Sequence, residues 1–220
     1  MANQFIRWVK VQNPKFKFLY KFFRNREFSI LDIGAGNKSA SKTTALFPNC
    51  QYYGLDLDKS YNNDPGEFSL MKEFYEMDLT KLNFSSIPDN KFDAILIVHV
   101  IEHLFNGDEV LKALVTKLKP GGYMYIEYPG KRSTRLPSMR GTLNYHDDPT
   151  HVRLYSVPEL TDLFQNMGLR VVDKGTRRSL FYVVMTPVRI IYRWLRGKAV
   201  TGNIFWDLLG FAEFVIIQRQ

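Results

Sequence analysis

Short apolar stretches that alternate with helical segments restrict the fold of this chain more than any other feature of its sequence. The segments between these stretches have the pattern of helices, as in GDEVLKALVTKLKPGG and SVPELTDLFQNMG. The alternation is typical of an α/β protein with a mostly parallel sheet, because parallel strands need a crossover connection. The predicted strands are SILDIG, QYYGLDL, FDAILIVHV, GYMYIEYP, LRVVDKG and AEFVIIQR.

Two predicted helices have their limits marked by the residues around them. Ser156 and Glu159 have the spacing of a capping box before the second helical segment, and Gly168 provides its stop. Pro120 in LKPGG ends the helix before it. Residues 131–155 form the one long polar stretch, and a loop of this length in a compact domain is usually functional or mobile.

Length and cysteine content narrow the class of protein. A chain of 220 residues fits one domain, and its single cysteine, Cys50, excludes an intramolecular disulfide and a cysteine-based zinc cluster. Arg7 and Lys10 interrupt the first apolar residues, so we expect no signal peptide. We therefore expect a single domain over residues 1–220 in a reducing, cytoplasmic setting.

Basic charge is concentrated in two segments. Residues 1–26 carry seven basic residues and no acid, while residues 170–198 carry eight basic residues and one acid, Asp173. Both segments interleave charge with aromatic residues, in KFKFLYKFFRNR and VRIIYRWLR. Such segments suit anionic partners, either phospholipid headgroups or nucleic acid, but they also fit a solvated face whose aromatic residues pack inward. We treat residues 1–27 as a basic N-terminal segment.

A glycine turn follows the first predicted strand, in SILDIGAGNKSA. Gly34 and Gly36 supply the turn, and Asp56 lies 20 residues after Gly36. In doubly wound sheets such a turn lets the backbone approach a nucleotide, and an acid about 20 residues later binds ribose hydroxyls. Pyrophosphate is disfavoured, since Ser39 occupies the third small position and Asp32 would repel a phosphate but attract an ammonium group. The spacing predicts a nucleoside ligand.

Four motifs in order resemble the class I S-adenosylmethionine-dependent methyltransferases, particularly the small-molecule group related to the ubiquinone-biosynthesis methyltransferases. They are ILDIGAGNK, YYGLDLD, FDAILIVHVIEHL and LKPGGYMYIEYP, within about residues 29–130. Lys38 stands where many members have a third glycine. The resemblance implies an α/β, Rossmann-like three-layer sandwich whose seven-stranded sheet is mostly parallel with an antiparallel last strand, AEFVIIQRQ. It also implies S-adenosylmethionine as the cofactor.

The same resemblance implies which residues bind this cofactor. They are Asp32, Gly34, Gly36, Asp56, Leu57, Asp78, Leu79 and His99. The first three are expected around the methionine part, and Asp56 at the ribose hydroxyls with Leu57 against the adenine. Asp78 matches the acid that receives the adenine amino group, with the amide of Leu79 beside it. An ordinary cap of a helix or turn is the alternative role for Asp78.

Histidines are the candidates for acid–base chemistry. Methyl transfer from a sulfonium is an in-line displacement, so it needs alignment but no covalent nucleophile. A hydroxyl acceptor still benefits from a base, and histidine has a suitable pKa near neutrality. His103 is the leading candidate, and His146 and His151 in the polar loop are further candidates. The alternative is that His103 only caps a helix or braces the loop.

A divalent metal is a further alternative, but none is assigned. Certain methyltransferases, including a small-RNA end-modifying group and some quinone-pathway members, bind a cation through Glu-x-x-Glu-His and a downstream histidine. The corresponding stretch here is His99-Val-Ile-Glu102-His103, so histidine replaces the first glutamate. Imidazole and carboxylate suit transition metals, but this departure from the pattern favours a metal-free site.

The sequence thus predicts transfer of a methyl group from S-adenosylmethionine to an oxygen or nitrogen of a small or lipid-linked acceptor. RNA methylation is the alternative within the same class, although nucleic acid is disfavoured as a partner because no RNA-binding module is recognisable. A noncatalytic nucleoside-binding protein of the same fold is the alternative from another class. Neither the acceptor nor the oligomeric state has a signature in the sequence.

TPVRIIYRWLRG predicts a basic amphipathic helix within a helical insertion near residues 180–208. Thr186 is the expected cap, Pro187 the first helical residue and Gly197 the end. Helical spacing places apolar residues on one face and arginines on another: Val188, Ile191, Tyr192 and Leu195, against Arg189, Arg193 and Arg196. We expect this helix and the basic N-terminal segment to lie on an anionic membrane surface, peripherally at the inner face. The alternative is a helix packed on the domain with solvated arginines.

Overall fold

Seven strands form one mixed sheet in the computed structural model, which describes residues 2–61 and 64–220 of the chain. The strands are β1 (Phe28–Ile33), β2 (Cys50–Asp56), β3 (Glu73–Glu76), β4 (Phe92–Val98), β5 (Leu118–Pro129), β6 (Arg170–Thr176) and β7 (Ala212–Gln218). Their order across the sheet is β3-β2-β1-β4-β5-β7-β6. Neighbouring strands from β3 to β5 are parallel, and β7 is antiparallel to both β5 and β6. The predicted fold class is confirmed.

Helices cover both faces of this sheet, which gives three layers. They are α1 (Ala2–Val11), α2 (Pro14–Phe23), α3 (Ser39–Leu46), α4 (Pro65–Ser69), α5 (Gly107–Lys117), α6 (Val157–Asn166), α7 (Leu180–Leu195) and α8 (Trp206–Leu209). Side chains of α2 and α3 pack in one core cluster with Ile30 and Tyr125, while those of α5 and α6 pack in a second cluster with Leu31 and Ile33. Alternate residues of β1 thus enter opposite cores, as the two-residue period of a strand requires.

The basic N-terminal segment, residues 1–27, contributes to the core. Phe16, Phe18 and Phe23 of α2 are buried, and the ring of Phe18 lies 5.4 Å from that of Tyr125 in β5. Lys17 between them is exposed. The aromatic residues of α2 therefore pack inward on the sheet and leave Lys17 and Lys21 of this helix at the surface.

Two elements differ from their predictions. The strand β3 was not predicted, because it has four residues and buries only Tyr75. The helix α7 begins at Leu180, so Pro187 lies inside it and not at its first position. Thr186 is buried and donates from its hydroxyl to the Tyr182 carbonyl at 2.8 Å, so it is not a cap. Residues 180–186 continue the helical pattern, and this overrides the proline signal.

The ends of α5 and α6 follow their predicted signals closely. Ser156 accepts a hydrogen bond from the Glu159 amide at 3.4 Å, and Gly168 after α6 adopts a φ of +74°. The helix α5 ends at Lys117, three residues before Pro120. None of the described helices is both long enough and apolar enough to cross a bilayer.

The order of the strands in the sheet determines where a ligand can bind. The strand β1 pairs with β2 on one side and β4 on the other, so the chain order reverses at β1. In open α/β sheets the crevice at such a reversal, beyond the carboxyl ends of the strands, is the usual ligand site.

Candidate active site

A cavity of about 570 Å³ opens beyond the carboxyl ends of β1, β2 and β4. This volume is in the range of cofactor and ligand pockets. Seven of the eight predicted cofactor-binding residues line it, namely Gly34, Gly36, Asp56, Leu57, Asp78, Leu79 and His99. Sequence reasoning missed other parts of the lining, including Thr80, Leu104 and Thr150, because nothing in their sequence context distinguishes them.

The glycine turn after β1 forms one wall of this cavity. Gly34 has a φ of +70°, and a Cβ there would lie 2.6 Å from a Val100 methyl carbon, so any side chain at this position would be strained and would have to displace Val100. A Cβ on Gly36 would meet only the Gly34 carbonyl oxygen at 3.9 Å. The absence of a side chain at Gly36 therefore leaves room for a ligand to approach the backbone. Lys38, at the position of the missing third glycine, adopts the left-handed conformation with a φ of 64°.

Two carboxylates line the cavity at the ends of neighbouring strands, where the Met77 amide donates to the Asp56 carbonyl oxygen at 3.0 Å. Asp56, half-buried at the end of β2, accepts from the Leu57 amide at 2.8 Å, and burial raises its pKa. Asp78 accepts from the Thr80 hydroxyl at 2.6 Å and the Thr80 amide at 3.0 Å, bonds that lower its pKa. Both bonds use Oδ1 of Asp78, while Oδ2 lies 3.9 Å from Nζ of Lys81, an exposed side chain that a ligand can displace.

Asp32 lies below the turn and does not line the cavity. It is 2% exposed, and its Oδ2 accepts from the Ser39 hydroxyl at 2.5 Å and the Tyr52 hydroxyl at 2.7 Å. Lys15 Nζ lies 3.6 Å from the same oxygen. These partners fix the glycine turn to α2, α3 and β2, and direct contact of Asp32 with the cofactor stays a prediction.

His99 is held in a strained backbone conformation at the end of β4. Its φ is 55°, which is unusual for a residue other than glycine. Nδ1 lies 3.1 Å from Glu102 Oε1, and Nε2 lies 3.3 Å from Glu127 Oε1 without the alignment of a hydrogen bond. Burial alone would lower the pKa of His99, but the two carboxylates outweigh it and raise the pKa to about 9. His99 is therefore a cation at neutral pH.

Glu127 belongs to a buried ionic network behind His99. Arg177 Nη1 donates to Glu127 Oε1 at 2.9 Å, and Arg177 Nη2 donates to Asp207 Oδ2 at 3.2 Å. Burial opposes ionisation of Glu127, but the charges of Arg177 and His99 lower its pKa to about 2. Glu127 lies inside the apolar strand GYMYIEYP, and an acid in such a strand is the sequence signal for this network.

The three histidines predicted as catalytic lie in different surroundings. His103 lines the cavity, and its ring centroid is 4.9 Å from that of His151. His151 is nearly buried behind it, with Nδ1 2.6 Å from the Tyr145 carbonyl oxygen. His146 is exposed and does not line the cavity. The structure thus brings His103 and His151 together and separates His146 from them.

A second cavity of about 330 Å³ adjoins the first. The two share Val98 and His99 in their linings. The second cavity extends to Lys15 of α2 and to Tyr182 and Arg189 on α7. A molecule in it would lie between the first cavity and the inner side of α7.

Comparison with known proteins agrees with this geometry. A family model described as a methyltransferase domain matches residues 8–174. A probable S-adenosylmethionine-dependent methyltransferase of Mycolicibacterium smegmatis is 32% identical over 87 residues, which span 40% of this chain and only 32% of that protein. The ubiquinone/menaquinone biosynthesis C-methyltransferase UbiE of Pseudomonas putida strain W619 is 23% identical over 187 residues, with 76% of this chain and 72% of that protein covered.

A solved structure supports the same fold. Phosphoethanolamine N-methyltransferase 2 of Haemonchus contortus, in complex with S-adenosylmethionine, is similar at a TM-score of 0.65 and 18% identity. The similarity covers 94% of this chain and 52% of that one. With the matched family and the cavity at the reversal point of the sheet, the chain belongs to the methyltransferase domain family and is a class I S-adenosylmethionine-dependent methyltransferase.

Proposed function

We propose that this enzyme methylates an oxygen or nitrogen of a lipid-linked acceptor while it is bound to the inner, anionic surface of a membrane. The observation that carries the proposal is an apolar face of α7 that points away from the protein. The four most exposed large side chains on α7 are Leu180 (77%), Trp194 (74%), Leu195 (71%) and Val184 (65%). Exposed apolar surface of this extent usually marks an interaction site.

The cofactor cavity has the groups that S-adenosylmethionine requires. When bound, this cofactor supplies an electrophilic methyl group on a sulfonium. We assign Asp56 to the ribose hydroxyls and Oδ2 of Asp78 to the adenine amino group. Leu57 and Leu79 provide apolar surface beside them, and Gly36 leaves the backbone open to the methionine part.

The second cavity is the proposed acceptor site. It meets the cofactor cavity at His99 and reaches Arg189 on α7, so an acceptor there lies next to the transferred methyl group. Lys15 and Arg189 are cations in its lining, and they suit an acceptor with an anionic group. His103 faces the cofactor cavity, and we assign it to deprotonation or positioning of the acceptor.

The inner face of α7 explains why its apolar face is exposed. Arg189 donates to the Ile204 carbonyl at 3.3 Å, and Arg193 donates to the Ala199 carbonyl at 2.7 Å. Arg189 therefore points toward the protein and Arg193 toward the segment after α7, which argues against the alternative in which the arginines of this helix are solvated. Thr186 lies buried on the same side. The polar residues of α7 thus face the domain, and its apolar residues face outward, where a partner can contact them.

Positive charge borders the exposed face, which favours an anionic lipid surface over an apolar protein partner. Arg196 and Lys198 are exposed at the carboxyl end of α7. Trp8 of α1 is 52% exposed and its ring packs against Phe181 at 5.3 Å, so the basic N-terminal segment adjoins the helix. Tryptophan at an apolar-polar boundary and basic residues beside it are typical of helices that lie in a membrane interface.

Sedimentation with vesicles tests this proposal. The unmodified protein is expected to bind phosphatidylcholine vesicles that contain phosphatidylglycerol, and to bind less at high salt because the basic residues are screened. Leu195→Glu is expected to weaken binding by about tenfold or more, since it places a charge in the inserted face. Leu70→Glu changes an exposed leucine of the segment after α4, which is not part of that face, and serves as the matched control.

Two results would contradict the membrane proposal. One is equal binding of Leu195→Glu and Leu70→Glu, which would place the contact elsewhere on the protein. The other is no preference of the unmodified protein for anionic over neutral vesicles. Neither result affects the assignment of the cofactor.

A further inference from the structure

We infer that Glu102, His103 and His151 form a binding site for one divalent transition-metal ion, such as Zn²⁺, Co²⁺, Mn²⁺ or Fe²⁺. One ligand atom from each of these residues lies within 4.8 Å of the other two. Two imidazoles and one carboxylate are a ligand set that suits these ions and leaves further coordination positions open. The inference concerns metal binding alone and does not rest on the identity of the acceptor.

Hydrogen bonding to Thr150 fixes the tautomer of His103. The Thr150 hydroxyl donates its only proton to Asp148 Oδ1 at 2.5 Å, so toward His103 it can only accept. His103 Nδ1 lies 2.9 Å from that hydroxyl and 3.2 Å from the Thr150 carbonyl oxygen, and it must therefore carry the proton. Nε2 of His103 is left with a lone pair that can bind a metal.

A backbone carbonyl fixes the tautomer of His151 in the same way. Nδ1 of His151 lies 2.6 Å from the carbonyl oxygen of Tyr145, which can only accept a proton. Nδ1 is therefore protonated, and Nε2 of His151 keeps a lone pair that can bind a metal. Metal-binding histidines are held in this manner, with the second ring nitrogen donating to a carbonyl or carboxylate.

Glu102 contributes an independent observation, a buried carboxylate oxygen without a hydrogen-bond partner among the described residues. The residue is 1% exposed, and its Oε1 is paired with Nδ1 of His99 at 3.1 Å. Its Oε2 is buried and has no hydrogen-bond partner among the described residues. A buried carboxylate oxygen without a partner is costly, and a metal ion beside it would remove that cost.

Small side-chain movements are enough to complete the site. Two nitrogen or oxygen ligands at about 2.1 Å from one ion are at most about 4.2 Å apart, so the three donors need to move together by about 1 Å. Asp148 Oδ2 lies 3.9 Å from Nε2 of His151, near enough to join them. Because His103 lines the cofactor cavity, the open positions adjoin that cavity. With an ion bound, His103 would hold it through Nε2, which fits a role of His103 in positioning the acceptor.

Titration with Co²⁺ tests the inference on untagged protein that has been dialysed against a chelator. The unmodified protein is expected to bind one equivalent by calorimetry and to show visible d–d absorption. His103→Asn and Glu102→Gln are each expected to weaken Co²⁺ binding by at least about tenfold. His146→Asn, which changes the exposed histidine of the same loop, is the matched control and is expected to bind as the unmodified protein does.

Cofactor binding by each variant shows that it is folded, so a loss of Co²⁺ affinity can be assigned to the site. The inference is overturned if the unmodified protein binds no Co²⁺ stoichiometrically. It is also overturned if His103→Asn and His146→Asn bind Co²⁺ equally well. Methyl transfer is not measured, so a failure here leaves the proposed function untouched.

Discussion

Single residues in left-handed backbone conformations frame the cofactor cavity. Gly34 adopts this conformation without strain, whereas Lys38 and His99 adopt it with a side chain. For Lys38 the turn after β1 imposes the conformation. Many related sequences have a glycine at this position, which is consistent with a left-handed backbone there. For His99 the two carboxylates on either side of the ring hold it in place. Strain of this kind is often found at functional sites.

Replacement of Lys38 by glycine is predicted to stabilise the protein. The lysine is exposed, and the left-handed conformation costs about 1 kcal/mol more for it than for glycine. Lys38→Gly is therefore expected to raise the free energy of unfolding by about 1 kcal/mol in urea denaturation. Lys42→Gly is the matched control, because this exposed residue lies in the right-handed interior of α3, and glycine there is expected to cost about 1 kcal/mol. Destabilisation by both changes would contradict the strain at Lys38.

Residues near the glycine turn were predictable, while those that depend on distant partners were not. The spacing from Gly36 to Asp56 reflects a local strand–turn–helix–strand unit, so sequence alone identifies it. Asp32 was placed at the cofactor because its partners Ser39 and Tyr52 reach it only in the fold. The contact between His103 and His151 joins residues 48 positions apart, and only the fold shows that His151, rather than His146, is the downstream histidine beside His103.

Elements of secondary structure were predicted where burial on two faces made the apolar signal strong. The strands β1 and β4 are of this kind, and all six residues of β1 are buried. The edge strand β3 has too few apolar residues for such a signal. The start of α7 was missed because Pro187 resembles a first helical residue, and only packing shows that the helix begins at Leu180.

Arg177 joins three elements that are distant in sequence. It follows β6 and pairs with Glu127 of β5 and Asp207 of α8. Arg177→Met is expected to lower the free energy of unfolding by about 3 to 5 kcal/mol, because buried Asp207 and Glu127 both lose the charge of Arg177, although Glu127 keeps that of His99. The measurement is the shift in the urea midpoint at neutral pH.

The adjacent Arg178 provides the control for this prediction. It is exposed and makes a hydrogen bond to the Leu208 carbonyl oxygen at 3.0 Å. Arg178→Met is therefore expected to cost less than about 1.5 kcal/mol. An equal loss of unfolding free energy in the two variants would mean that the buried ion pairs of Arg177 add nothing to stability beyond an exposed hydrogen bond.

At the scale of the whole molecule, the two cavities adjoin each other and the second one extends to α7. The cofactor cavity meets the second cavity at His99, and the second cavity reaches the inner face of α7. The sequence predicted the cofactor end of this arrangement from its motifs. It predicted the amphipathic helix but not its orientation, since periodicity identifies two faces without showing which one meets the protein.

The central claim is that S-adenosylmethionine binds in the cavity at the end of β1 with Asp56 at its ribose. Isothermal titration calorimetry with S-adenosylmethionine and NAD, on the unmodified protein and on Asp56→Ala, tests it most directly. The unmodified protein is expected to bind S-adenosylmethionine at one site and not NAD. Asp56→Ala is expected to weaken that binding by about 1 to 3 kcal/mol, or about 5- to 150-fold, because hydrogen bonds to a charged group are lost. Binding of NAD alone, or an unchanged dissociation constant in Asp56→Ala, would contradict the account.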